Sequence, residues 1–303
     1  MRHLFCTFLL LFAAAAFAKG EPEADTFLYR ISKQGRPVSY LLGTIHVGKR
    51  NSTLPADYRR ALGRVSQLVV ETDEESMSGT EIRRMQQIMA DTRPLKTSLG
   101  EARIQRLQRI LTTGQEPLAF SPDSRTKPWV LWMAAQSMFT PKGYSYRHGI
   151  DHLLIQTAKK QQKPVIALEG AEQLDYFDGL PEDAVIRSLD SLVTHHRAFL
   201  DETVSLERDY RARRARKIWA EIANPAHQLR FLPEQDHPLW HEFLYQKLLT
   251  KRNQTWLPRL IEILPQKPTL VAVGSAHLFG GQGLIVRLRQ VGYQVEPVQA
   301  DIK

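Results

Sequence analysis

Short apolar runs separated by long helical stretches are the feature that most constrains how this chain can fold. Three of the runs are continuous and bounded by glycine, proline or charged residues, as expected for strands buried on both faces of a sheet. Between the runs, apolar residues such as Ile104, Leu107 and Leu111 recur at the spacing of one helix face. The continuous runs are residues 68–70, 165–168 and 270–273, and two further runs are residues 40–42 and 293–298.

This alternation predicts an α/β fold, with a central mixed β-sheet flanked by helices and a large, mostly helical portion over residues 181–264. Residues 150–161 have a helical pattern and lead through Pro164 into the run at 165–168, which is a helix-then-strand unit of the α/β type. No low-complexity tract or long linker divides residues 19–303. We therefore expect a single domain in that range, with its first and last segments lying together.

The first 18 residues are predicted to be a secretory signal peptide. A basic start is followed by an apolar run over residues 4–18, which is shorter than the roughly 20 residues that a membrane span needs. Ala16 and Ala18 present the small side chains that a signal peptidase reads. An uncleaved anchor is the alternative. We expect an exported protein, in the periplasm or secreted.

Removal of this segment changes what the composition allows. The one cysteine of the chain, Cys6, lies within the segment, so the mature chain has no thiol and cysteine-based catalysis is excluded. The net charge is +9 for the whole chain and +8 without the segment, but export directs the protein away from nucleic acid, which is not an expected partner. From Arg208 to Lys217, six basic residues face a single acid, Asp209. On a helix this run predicts a solvated basic face that could contact an anionic membrane or an acidic polysaccharide.

Two segments near opposite ends of the chain share one pattern. In each, an apolar run is followed by Gly-x-x-His, which places His46 and His277 just after a buried strand. Two other runs end in Glu71 and Glu169, which are costly to bury unless they are paired or bound to a cation. Sites in open α/β sheets form at the carboxyl ends of strands. Two histidines and a glutamate that converge there would be ligands for a divalent metal, with open positions for water and substrate.

Each of these residues also has a structural interpretation. A histidine after a strand is more often a hydrogen-bonded structural residue than a ligand, and a glutamate at a strand end is often solvated. The repeated Gly-x-x-His pattern shifts this balance towards a site without deciding it. We interpret His195, His196, His237 and His241 as surface or packing residues, because none belongs to a His-Glu-x-x-His metal motif.

Six short segments carry a family resemblance. They are Leu42-Gly43-Thr44-Ile45-His46, Val70-Glu71-Thr72-Asp73, Gly149-Ile150-Asp151, Ala167-Leu168-Glu169, Arg252-Asn253 and Val273-Gly274-Ser275-Ala276-His277-Leu278. With these segments in this order, the chain resembles the TraB/GumN family, which includes the Tiki-type metalloproteases. The resemblance implies a fold similar to that of the haem-binding and erythromycin-esterase-like group. For Tiki-like members it implies a peptidase whose metal is held by residues that correspond to His46, His277 and Glu71. The resemblance points to Mn or Co, whereas this donor set also suits Zn.

The resemblance also implies roles for the other candidates. Either Glu71 or Glu169 would act as general base towards water, and the other would be a ligand or would hold a ligand in place. Arg252 would stabilise the oxyanion of a cleaved amide or orient a substrate carboxylate, and its alternative is a salt bridge on a helix. Asp151 is expected to be an N-terminal helix residue rather than a ligand. The hypothesis is an exported metal-dependent hydrolase that acts on a peptide or protein. The alternative is a non-catalytic protein that binds a metal, haem or a peptide in the same pocket.

Overall fold

A computed structural model describes residues 20–114 and 117–299 of the chain, and the predicted signal peptide lies outside these residues. Eight strands form one large sheet and one small ribbon. The strands are β1 (Leu28–Ser32), β2 (Ser39–Thr44), β3 (Gly48–Lys49), β4 (Gln67–Val70), β5 (Tyr144–Ser145), β6 (Val165–Ala167), β7 (Thr269–Gly274) and β8 (Gln294–Pro297).

The large sheet has six strands in the order β6-β4-β7-β2-β1-β8. Strands β6, β4, β7 and β2 are parallel neighbours, whereas β1 pairs antiparallel with both β2 and β8. The predicted mixed sheet is therefore confirmed. Because Thr44 of β2 pairs with Gly274 of β7, and Val70 of β4 pairs with Ala272, the carboxyl ends of these strands share one edge.

The burial of the strands follows their sequence. Strands β2, β4 and β7 are buried at every position, as expected for continuous apolar runs in the middle of a sheet. Strand β6 differs from the prediction, because Val165, Ile166 and Ala167 are only half-buried. The reason is its place at the end of the strand order, where β4 is its sole neighbour. Among the described residues, no helix combines the length and the apolar character that crossing a bilayer requires.

Helices cover the sheet and form the predicted helical portion, which is confirmed for residues 181–264. A π-helix, Glu242–Lys251, runs directly into the twelfth α-helix, and short 3-10 turns include Ser275–His277 after β7. The α-helices are α1 (Ala56–Gly63), α2 (Gly79–Met89), α3 (Leu95–Leu99), α4 (Glu101–Leu111), α5 (Pro128–Met138), α6 (Ile150–Lys160), α7 (Leu174–Asp178), α8 (Glu182–Arg211), α9 (Ala215–Ile222), α10 (Pro225–Gln228), α11 (His237–His241), α12 (Arg252–Ile263) and α13 (Leu284–Gln290).

The buried apolar residues form two clusters. The first surrounds the large sheet and includes the fully buried Trp256 of α12. The second lies among the helices of the middle of the chain, where Trp132 and Trp240 have ring centroids 5.0 Å apart and Phe243 meets Trp240 edge-on. Aromatic pairs in these geometries add to the gain from burial alone. The candidate site lies on the first cluster, at the carboxyl edge of the sheet.

Candidate functional site at the carboxyl edge of the sheet

The residues that follow β2, β4 and β7 surround one small space, which lies over Gly274. A Cβ atom built on Gly274 would lie 3.2 Å from Glu71 Oε1, 3.6 Å from His46 Nε2 and 3.7 Å from His277 Cδ2. His277 Nε2 and Glu71 Oε1 are 3.9 Å apart. The structure therefore brings together the two histidines and the glutamate, which lie far apart in the sequence. It does so because parallel strands end at the same edge.

His46 lies at the mouth of this space, and its side chain is 65% exposed. Helix α6 begins against it: a Cβ on Gly149 would lie 2.4 Å from the carbonyl oxygen of His46, so only glycine permits this approach. Asp151 lies in the first turn of α6, as expected, and its Oδ2 is 2.7 Å from His46 Nδ1. The Asp151 carboxylate raises the pKa of His46 from 6.5 to about 9. The hydrogen bond to Asp151 occupies Nδ1 of His46, so Nε2 is the ring nitrogen that faces the space over Gly274.

His277 is buried and held in one tautomer by Asn253. The Asn253 amide donates from Nδ2 to the carbonyl oxygens of His277 and Gln282, at 3.1 and 2.9 Å, so its Oδ1 is the atom that faces His277 Nδ1 at 2.8 Å. His277 therefore donates from Nδ1 and carries a lone pair on Nε2. Burial lowers the pKa of His277 to about 3, which keeps this ring neutral.

Glu71 is ionised, with a donor at each oxygen. The backbone N–H of Gly274 donates to Oε1 at 2.5 Å, and Arg252 Nη2 donates to Oε2 at 2.5 Å. Burial alone would raise the pKa of Glu71, but the positive charge of Arg252, helped by the two histidines and the Gly274 N–H, holds it well below its usual range. A buried carboxylate in this state is a ready ligand for a cation.

Arg252 is the hub of the site and is only 11% exposed. Its guanidinium binds Glu71 and Glu169, and its Nη1 lies 3.2 Å from His277 Nε2. Its charge also lies over the ring of Trp256, 4.7 Å from the centroid. The sequence left open whether this arginine belongs to a site or to a salt bridge on a helix, and the structure shows salt bridges to Glu71 and Glu169, which lie outside its helix.

Glu169 has no free oxygen. Arg252 Nε donates to both of its oxygens, at 3.0 and 3.2 Å, and Trp256 Nε1 donates to Oε2 at 2.9 Å. Desolvation raises the pKa of Glu169, although the bonds from Arg252 oppose this. Its contacts hold Arg252 in place, and they do not direct the carboxylate to the space over Gly274.

Comparison with known proteins places this chain in a family. The sequence model of the TraB/PrgY/gumN family matches residues 27–297. The chain belongs to the TraB/PrgY/gumN family. It is also similar to the uncharacterized protein YbaP of Shigella flexneri and of Escherichia coli strain K12, with 32% identity over 267 residues in each case. These matches cover 86% of this chain and 90% of each relative.

Three contributors to the site of this TraB/PrgY/gumN chain were not predicted in their structural roles: Asp151, Asn253 and Trp256. Arg252 and Trp256 are spaced i and i+4 on α12, so they share a helix face, and this spacing is a signal that could have linked them. Residues of π-helices are often found at functional sites, and the one before α12 ends immediately before Arg252. The sequence carries no comparable signal for the bonds from Asp151 and Asn253 to the histidines.

The basic run of this family member is largely engaged in ion pairs. The prediction that the run from Arg208 to Lys217 lies on one helix is wrong, because α8 ends at Arg211 and Arg213 adopts a left-handed conformation with φ of 61°. Arg213 binds both oxygens of Asp57 at 2.7 and 2.8 Å. Arg211 binds Glu207 at 3.0 Å. The buried Asp209 carboxylate accepts from Arg208, Arg214 and Lys217.

The histidines that the sequence analysis set aside pack against their neighbours. The ring of His195 stacks on Phe231 at 5.4 Å, and that of His241 stacks on Tyr245 at 4.6 Å. His237 is hydrogen-bonded through Nε2 to a backbone carbonyl 2.9 Å away. These contacts agree with the structural interpretation that the sequence favoured.

Replacing Asn253 with alanine will lower the free energy of unfolding by about 3 kcal/mol, because the buried carbonyl and the Nδ1–H of His277 lose their partner and the carbonyl of Gln282 loses one of its two donors. Urea denaturation followed by circular dichroism measures the change. Gln254→Ala is the matched control, since Gln254 is the next residue of α12 and is exposed, and it should shift stability by no more than about 0.5 kcal/mol. Equal stability of the two variants would contradict the assigned hydrogen bonds.

Proposed function

We propose that this chain is a metal-dependent hydrolase that cleaves peptide bonds, with its metal held by His46, His277 and Glu71. One observation carries the proposal: Glu71 Oε1, His46 Nε2 and the ring of His277 border the space beside Gly274 that a side chain would otherwise fill. Each imidazole also has a protein oxygen at Nδ1, which is the arrangement that orients histidine ligands of metals.

The donors fit a divalent cation in type and direction. Two imidazole nitrogens and a carboxylate suit zinc, and they also suit manganese or cobalt. The 3.9 Å between His277 Nε2 and Glu71 Oε1 is slightly wide for ligands of one ion. Among the described residues, no group of three His, Cys, Asp or Glu side chains is close enough together to hold a metal ion as it stands. Closing the set requires Arg252 to release His277 Nε2, to which its Nη1 now donates. Only side chains would have to move for this, because the three proposed ligands already lie beside one another.

The chain's own residues define what such a site would do. A bound divalent cation would lower the pKa of water towards neutrality and polarise a carbonyl. Glu169 would position Arg252, because its carboxylate accepts hydrogen bonds from Arg252 and from Trp256 on the same helix. Arg252 would then offer its N–H groups to the oxyanion that develops when an amide is attacked. Glu71 remains available as ligand or as general base.

His46 must lose a proton before it can donate its lone pair from Nε2. Its pKa is raised to about 9 by Asp151, so without a metal it carries a proton on both ring nitrogens at neutral pH. Asp151 keeps the Nδ1 proton, and the Nε2 proton is the one to be displaced. Metal uptake would therefore release a proton and strengthen as the pH rises towards 9.

We predict that His46→Ala and His277→Ala each remove the metal and the activity. Elemental analysis of protein purified without chelators should find about one divalent ion in the wild type and a loss of at least about tenfold in each variant. His195→Ala is the matched control, because it is the same change at an exposed histidine that stacks on Phe231. Peptide cleavage with added Mn, Co or Zn should follow the metal content and stop with a chelator. Unchanged metal content in both variants would overturn the proposal.

The second candidate is a non-catalytic binding protein that uses the same pocket. The observation in its favour is that Arg252 already pairs with both Glu71 and Glu169, so each of these buried carboxylates has a cationic partner without a metal. A wild-type protein that binds metal but cleaves no peptide would support this candidate. A Soret band on addition of haem, again without cleavage, would identify the ligand as haem.

The proposal includes export by the predicted signal peptide, so the reaction would take place in the periplasm or outside the cell. The mature chain would contain no thiol, because Cys6 is the only cysteine in the sequence. Histidines, carboxylates and Arg252 are then the groups that remain for the chemistry.

A further inference from the structure

A small two-stranded ribbon stands beside the mouth of the site. Strands β3 and β5 pair antiparallel, with Lys49 opposite Tyr144, and the N–H of Arg50 extends the pairing to the carbonyl of Gly143 at 2.7 Å. The ribbon begins two residues after the exposed His46. It is also packed against the turn before α6, since a Cβ on Gly48 would clash with the carbonyl of the residue that precedes Gly149.

The exposed side chains of this ribbon are basic and unneutralised. We define the basic ribbon as Lys49, Arg50 and Lys142, which are all exposed and form no ion pair with any residue that the structure describes. Nearby carboxylates are already occupied: Asp151 is bound to His46, and Glu207 is bound to Arg211.

A further cation extends this surface. The Arg208 side chain is 60% exposed. Burial and the charge of Glu207 raise the pKa of Tyr144, whereas the charge of Arg208 opposes the rise, which places Arg208 near the β5 side of the ribbon. Because these positive charges lie on one part of the surface, their fields add there and attract anionic groups.

We propose that the basic ribbon binds an acidic segment of the polypeptide that enters the site. The proposal rests on the proposed function for the identity of the ligand as a polypeptide. The ribbon begins two residues after His46, so an extended polypeptide bound at His46 would reach the ribbon within a few residues, at about 3.3 Å per residue. Carboxylate side chains on that part of the chain would meet Lys49, Arg50 and Lys142.

A membrane surface fits these residues less well. Peripheral helices that lie on bilayers combine basic residues with large apolar side chains that insert among the lipids. The large apolar side chains that are exposed in the described part of the chain are Ile82, Leu206 and Ile261, and none of them belongs to the ribbon. Charge without an apolar anchor favours a flexible acidic polymer, and the peptide is the one that the neighbouring site would act on.

Binding of a fluorescein-labelled, glutamate-rich peptide to the full mature chain tests the proposal, with fluorescence anisotropy at low ionic strength as the measurement. The variant Lys49→Glu/Arg50→Glu/Lys142→Glu should bind the peptide about tenfold more weakly, or worse. The matched control is Arg36→Glu/Lys160→Glu/Lys267→Glu, which changes the net charge equally. Its residues precede β2, β6 and β7, at the opposite edge of the sheet. The control should bind as the wild type does.

Three further measurements separate the possible outcomes. A glutamine version of the peptide should bind weakly to every variant, and Lys49→Gln/Arg50→Gln/Lys142→Gln should repeat the loss with less risk to folding. His46→Ala should still bind the acidic peptide, because His46 is not part of the basic ribbon. If no wild-type preparation cleaves the peptide that it binds, the proposed hydrolase is wrong and the ribbon proposal still holds. Unchanged peptide affinity in both ribbon variants would overturn it, as would a ribbon-dependent affinity found with phosphatidylglycerol vesicles or an acidic polysaccharide but not with the peptide.

Discussion

Replacing Arg252 with methionine will lower the free energy of unfolding by about 3–5 kcal/mol at pH 7, because Glu71 and Glu169 are left as buried charges without their cation. The two carboxylate side chains are only 14% and 5% exposed, so water cannot replace the guanidinium. Urea denaturation with a fitted m-value measures the change. Arg259→Met, an exposed arginine of the same helix that bonds one backbone carbonyl, should cost no more than about 1 kcal/mol.

The deficit of the Arg252→Met variant should shrink as the pH falls from 7 towards 5. In the wild type the folded-state pKa of Glu71 is depressed, so its ion pair stabilises the protein above the unfolded pKa of about 4.3 and this stability is lost as pH falls through the lower value. In the variant Arg252 no longer opposes the burial that raises the pKa, so protonation of the carboxyl favours the folded state. The double variant Arg252→Met/Glu169→Gln should recover part of the loss. A deficit that stays constant with pH would contradict the buried ion pairs.

Replacing Gly274 with alanine will fill the space between the proposed metal ligands, so that metal binding is lost while the fold persists. The backbone there has φ −50° and ψ 137°, which alanine adopts without strain. Its Cβ would instead enter the space between Glu71 Oε1 and His46 Nε2, too close to Glu71 Oε1 at 3.2 Å and in contact with His46 Nε2 at 3.6 Å. We expect metal affinity and peptide cleavage to fall by at least about 100-fold, or about 2.7 kcal/mol, with stability within about 1 kcal/mol of the wild type. Elemental analysis and cleavage assays on the same preparation measure both.

Gly63→Ala is the matched control for this change. Gly63 ends α1, and a Cβ built on it meets no atom within 4 Å. Alanine there should leave metal and activity unchanged and stabilise the helix by a few tenths of a kcal/mol up to about 1. Wild-type metal content and turnover in Gly274→Ala would mean that the space over this glycine is not where the reaction takes place.

Much of the sheet was predictable from the sequence, because strands that are buried on both faces are continuously apolar. Continuous apolar runs mark β4 and β7, and a further apolar run marks β2; the shared edge of these parallel strands then explains why His46, Glu71 and His277 meet. Strand β1 was missed, since Arg30 and Ser32 interrupt its apolar residues. Strands β3 and β5 were missed because two residues are too few to show any period.

The supporting contacts of the site were out of reach of the sequence. Asp151 and His46 are separated by 105 positions, and a carboxylate in the first turn of a helix is already explained by the helix dipole. For Glu169 the physical argument was sound: a buried carboxylate needs a cation, and Arg252 supplies one. Whether that cation is a metal or an arginine depends on which side chains come together in the folded protein. Spacing along the chain does not predict this.

The place of β7 in the sheet has a consequence for the order of folding. This strand lies between β2 and β4 in space, yet it comes after more than 80% of the sequence, at residues 269–274. Until it is synthesised, β2 and β4 have no common neighbour, and their backbone hydrogen-bonding groups face an open gap. Every chain that stops short of residue 269 therefore lacks both the central strand and one of the two histidines. Completion of the sheet and of the site therefore requires about the last ninth of the chain.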